Sequence, residues 1–75
     1  MGVVEDLADQ LAQDALEAAA KLGDETILAK IGDVLGASSA TTQEAYSTAI
    51  RVRLAERRAR EFLQDALKKA PPTTP

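Results

Sequence analysis

Between Val3 and Leu22 the apolar residues Val4, Leu7, Leu11, Ala15, Ala18 and Leu22 recur at steps of three and four, the period of one α-helix face. The pattern predicts a first helix over residues 3–22. Gly23 supplies its stop, because a residue without a Cβ readily takes the left-handed conformation that closes a helix, and Asp24 can cap the helix that follows. The second segment, residues 25–35, places Ile27, Leu28, Ile31, Val34 and Leu35 on one face, with Gly36 as the next stop. Residues 37–42 are small and hydroxyl-rich. Within them Thr41, followed by Glu44, has the spacing of a capping box, in which each side chain satisfies the other's orphan backbone donor. A third helix is predicted over residues 42–69, striped by Ala45, Ala49, Val52, Ala55, Ala59, Phe62, Leu63 and Ala66. At about 1.5 Å per residue it spans roughly 40 Å, longer than either predecessor. The closing Pro-Pro-Thr-Thr-Pro cannot extend it, so residues 71–75 are expected to form a disordered tail behind one helical domain, residues 1–70.

The implied fold is all-α, with helices in the order long, short, long. Three amphipathic segments carry more apolar surface than a chain of 75 residues can enclose alone. A homodimeric bundle is therefore expected, with Leu7, Leu11, Ile27, Leu28, Ile31, Leu35, Ala45, Ala49, Val52, Phe62 and Leu63 as core or dimer positions. Small residues favour close helix pairing. Ala8, Ala12, Ala15 and Ala19 offer one such stripe, and Ala45, Ala49, Ala55, Ala59 and Ala66 another. Glu56 with Arg60, Arg57 with Glu61, and Asp65 with Lys69 sit four residues apart and would each support the third helix by a few tenths of a kcal/mol. Tyr46 reads as a half-buried packing residue.

Composition narrows the function classes. The chain has no cysteine and no histidine, so the commonest strong nucleophile and the commonest general base are both missing, along with the means to build a disulfide or a zinc site. No enzyme, no cofactor and no small-molecule substrate is expected. Two aromatic residues make no stacking platform for single-stranded nucleic acid. Charge is distributed unevenly: residues 1–36 hold eight acids against Lys21 and Lys30, whereas residues 37–75 hold seven bases against four acids. Arg51, Arg53, Arg57, Arg58 and Arg60 form the basic cluster and are the candidate contacts for a partner or for DNA. No apolar run approaches membrane-spanning length, and Met1 to Asp6 lack the pattern of a signal peptide, which makes the cytoplasm the expected compartment.

The stretch Asp24-Glu25-Thr26-Ile27-Leu28-Ala29, then Val34-Leu35-Gly36, Thr42-Gln43-Glu44-Ala45, Ala49-Ile50-Arg51, Leu54, Arg57-Arg58 and Phe62-Leu63 resembles the helical part of bacterial ribbon-helix-helix antitoxins of the VapB type. The resemblance covers residues 24–63. It implies a dimer packed through Ile27, Leu28, Ile31, Leu35, Ala45, Ala49 and Ile50, protein binding by the region after Arg57, and DNA reading by paired strands ahead of Asp24. In this chain residues 18–23 are helix-favouring instead. The expectation is a non-enzymatic helical interaction protein, antitoxin-like or regulatory, that binds a protein partner through the long helix, with DNA as a further candidate ligand of the dimer. The alternative is a helical dimerisation or docking module without a nucleic-acid role.

Overall fold

A computed structural model describes residues 2–70 as three helices: α1 (Val3–Leu22), α2 (Thr26–Ser38) and α3 (Ala40–Lys69). No strand occurs among the described residues, and the expected tail at 71–75 lies outside them.

Gly23 closes α1 as its lack of a Cβ foretells. It is left-handed at φ 63°, its N–H donates to the Ala20 carbonyl, and the Asp24 N–H reaches back to the Ala19 carbonyl at 3.0 Å. This double closure satisfies carbonyls that would otherwise be orphaned. Asp24 then turns the chain into α2 by accepting both the Thr26 N–H (3.0 Å) and the Thr26 hydroxyl (2.6 Å).

Three boundaries depart from the sequence reading, the first by one residue, since α2 begins at Thr26 in place of residue 25. α2 runs through Gly36 to Ser38, where residues 25–35 were expected, because Gly36 keeps a helical backbone and only Gly23 takes positive φ. α3 starts at Ala40 in place of residue 42. Its cap is Ser39, whose extended backbone halts α2 and whose hydroxyl accepts the Thr42 N–H at 3.1 Å. The Ser39 and Thr42 hydroxyls also bond each other at 2.9 Å, so this pair does the work expected of Thr41 and Glu44.

α2 lies antiparallel to α3: Gly36 meets Gln43, Gly32 meets Tyr46, and Leu28 shares a groove with Leu54. α1 runs in the direction of α3, with Val4 in a groove beside Ala45 and Asp9 bonded to Arg53. The alanine stripe of α1 is the buried one. Ala8, Ala12, Ala15 and Ala19, with Leu16, are enclosed, and Tyr46 enters among the first three of these at 2% exposure. Leu11, Leu28, Ile31, Leu35, Ala45, Ala49 and Ile50 surround that cluster, half-buried. Ile27 is half-buried as well.

Tyr46 is thus the centre of the core and no half-buried bystander. Alanines admit the ring because they leave the volume it needs, and Gly32 lets it lie against α2, while its hydroxyl donates to the Leu28 carbonyl at 2.8 Å. A leucine stripe on that face of α1 would fill the same space. Leu7 therefore stays outside the intrachain core, as do Val52, Phe62 and Leu63.

Two measurements probe this arrangement. A Cβ at Gly32 would stand 3.6 Å from the Tyr46 ring, an ordinary contact. Gly32→Ala should therefore raise stability by up to about 1 kcal/mol in denaturant titrations, through helix propensity, whereas Gly32→Leu should lower it by displacing the ring. Burial pushes the Tyr46 phenol above its ordinary value, so the native state resists ionisation while the unfolded chain ionises near pH 10. The resulting stability is complete below pH 10 and is lost as pH rises beyond it. Tyr46→Phe should cost about 0.5–1.5 kcal/mol at neutral pH and should remove this share of the alkaline loss.

Candidate interaction surface

α3 outlasts the bundle for a reason visible along one face. The positions that look toward α1 and α2 run Tyr46, Ile50, Arg53, Arg57, Gln64 and Lys68 at helical steps. Beside them Leu54 is half-buried in a groove with Leu16, Ala19 and Leu28, but past Leu54 the inward positions are polar, so no further core forms there. From Ala55 to Ala70 no side chain is buried or half-buried. The consequence appears in the dimensions: the Cα radius of gyration is 16.4 Å, against about 11 Å for a compact domain of this length.

The opposite face of this projecting segment is apolar. Ala55, Ala59, Phe62 and Ala66 follow Val52 at steps of three and four, with Leu63 along one edge and Leu67, seven residues after Arg60, on the flank beyond it. Phe62 is 77% exposed and Leu67 67%. Leu67 continues the stripe one turn past Leu63 and was legible by the same spacing, as was Leu16 four residues after Ala12. Isolated helices of this length are marginal in water. Local features favour this one: Glu56 pairs with Arg60 at 2.6 Å, Lys68 and Lys69 sit at the negative end of the dipole, and the Ala70 N–H bonds the Ala66 carbonyl.

The five arginines do not make one basic stripe. Arg53, Arg57 and Arg60 line a groove of about 720 Å³ between α3 and α1, facing Asp9 and Glu17. Arg51 lies across the helix from them, and Arg58 lines, beside Arg57, a separate groove shared with Glu25 and Leu28. Arg53 is committed within the chain, its Nε and Nη2 each donating at 2.8 Å to one oxygen of Asp9, a two-point bridge from α3 to α1. Arg60 is held by Glu56. Arg51, Arg57 and Arg58 form no ion pair among the described residues, and neither the Arg57–Glu61 nor the Asp65–Lys69 pair expected from spacing reaches bonding distance.

A second groove, about 490 Å³, runs between the start of α1 and α3, with Val4, Ala45, Ala49 and Val52 on its floor and Glu5, Asp6 and Glu44 at its rim. Among the described residues no three acidic side chains cluster as a metal site would need, and no buried side-chain polar atom lacks a hydrogen-bond partner. No helix is long and apolar enough to cross a membrane. No protein-family model matches the chain, and neither a curated protein nor a solved structure matches it.

The interhelical bridge makes a prediction about acid. Hydrogen bonding from Arg53 holds the Asp9 carboxyl below the usual carboxylate range, so its contribution is present above about pH 4 and fades as pH falls through the lowered value. Asp9→Asn should lower the melting temperature at neutral pH and low salt. The gap from wild type should shrink toward zero both in acid and in high salt, because the pair is exposed.

Proposed function

We propose that this protein is a non-catalytic helical interaction protein whose working element is the projecting half of α3. The observation that carries the reading is the exposed Phe62, Leu63 and Leu67 on a segment that none of the described residues covers. Exposed apolar residues scattered singly are ordinary, but a contiguous stripe at helical spacing fits the way helices dock into grooves or onto one another. The working end is therefore the region after Arg57, the same region that the likeness to VapB-type antitoxins assigns to a protein partner. A bacterial, cytoplasmic regulator that silences a partner by laying this helix on it is the fuller form of the proposal.

A DNA role rests on Arg51, Arg57 and Arg58, which have no ion pair among the described residues. Residues 18–22, where the likeness calls for a groove-reading strand, belong to α1. The docking role thus has the stronger support. A gel shift at low ionic strength separates the two, since phosphate contacts strengthen as salt is lowered. Failure to retard DNA under those conditions removes the DNA half and leaves docking intact.

Amide hydrogen exchange tests the docking role. Protection of residues 55–69 should rise with the concentration of protein or partner, while protection of Ala8 to Ala19 should not. If residues 55–69 are as protected as α1 at every dilution, the chain covers its own stripe and the reading fails.

A further inference from the structure

Resting on that reading, we infer that the projecting half of α3 pairs antiparallel with the same segment of a second copy of this chain. The seam is Val52, Ala55, Ala59, Phe62 and Ala66, whose alternating three- and four-residue steps give the seven-residue repeat of a helix–helix seam. From Ala55 onward it faces away from α1 and α2, and Val52, which borders the α1–α3 groove, is still 61% exposed, so a second helix can approach without displacing either.

The order of large and small residues selects the direction. With the crossing centred between Ala59 and Phe62, each Phe62 ring sits over the partner's Ala59, and each Ala55 meets the partner's Ala66. Large then meets small, and the helix axes keep one separation along the seam. A parallel pair would stack Phe62 on Phe62 and alanine on alanine, and the aromatic layer would hold the alanine layers apart.

Charge selects the same register. Arg58 and Asp65 stand on one edge of the seam, seven residues apart, and neither forms an ion pair within the chain among the described residues. Reversal of the second helix sets each Arg58 beside the partner's Asp65, giving two symmetric bridges. The segment carries excess positive charge, but Arg53, Arg57 and Lys68 lie on the face turned toward the bundle. The edges of the seam carry Arg51 and Arg58 against Glu56 and Asp65, and Lys69 at its end leaves one excess positive charge per chain, at the periphery of the pair.

Sedimentation equilibrium on the full chain provides the test. The wild type should dimerise, and Phe62→Lys should raise the dissociation constant at least about thirtyfold while circular dichroism still shows the folded bundle. Arg58→Asp and Asp65→Arg should each weaken the dimer by like-charge contact, and an equimolar mixture of the two should recover it as a heterodimer. The chain has no cysteine, so single cysteines report direction cleanly. Val52→Cys mixed with Lys69→Cys should form the mixed disulfide, and a Val52→Cys disulfide with itself would indicate a parallel pair and overturn the proposal. So would a dimer indifferent to Phe62→Lys, or no recovery on mixing. A strictly monomeric chain with freely exchanging residues 55–69 overturns the dimer and leaves the docking role standing, whereas a monomer with that segment protected overturns both.

Discussion

One aromatic ring holds the three helices together. Tyr46 reaches from α3 into a bed of alanines on α1 and lies across Gly32 of α2, so each helix contributes to a single enclosed volume. The hydroxyl ends on a backbone carbonyl of α2, which settles its polar need without water. Most other core residues are only half-buried. Losing the ring would leave the helices with a rim and no centre, a large fraction of the few kcal/mol that stabilise a chain this short.

That economy explains the shape. Where apolar residues face inward, the bundle persists; past Leu54, where Arg57 and Gln64 take the inward positions, it stops while α3 continues on helix-favouring residues. The apolar content moves to the opposite face at the same place, beginning with Ala55. A helix that exchanges its sticky side midway cannot satisfy both sides with one set of neighbours. The inner side is satisfied by α1 and α2, and the outer side is what the protein has to offer.

The helices were legible in the sequence because periodicity and the Gly23 stop are local signals, and local signals decided them. For α1 the sequence offered two faces, the Leu7–Leu11 stripe as core and the Ala8–Ala19 stripe for close pairing, and did not choose between them. Its leucines and alanines form overlapping stripes, and only the position of Tyr46, thirty-four residues beyond Ala12, determines that the alanines turn inward. Gly36 misled for a similar reason: glycine permits a stop without requiring one, and the Ser39 cap next door determined where α2 ended. The arginine cluster read as one patch in sequence, yet helical phase divides it between two faces, and Asp9, forty-four residues away, claims Arg53. The exposed stripe after Val52 was visible throughout, since its spacing needs no tertiary information.

The join between α2 and α3 consists of Ser39 alone, and that leaves no slack. A helix turns by about 100° with each residue, so adding or removing one beside this join would rotate all of α3 about its axis relative to α2. Tyr46 would swing away from its alanines, and the outward stripe would turn with it. A single backbone hinge thus fixes the phase of a helix roughly 45 Å long, coupling the closure of the core to the heading of the surface at the far end.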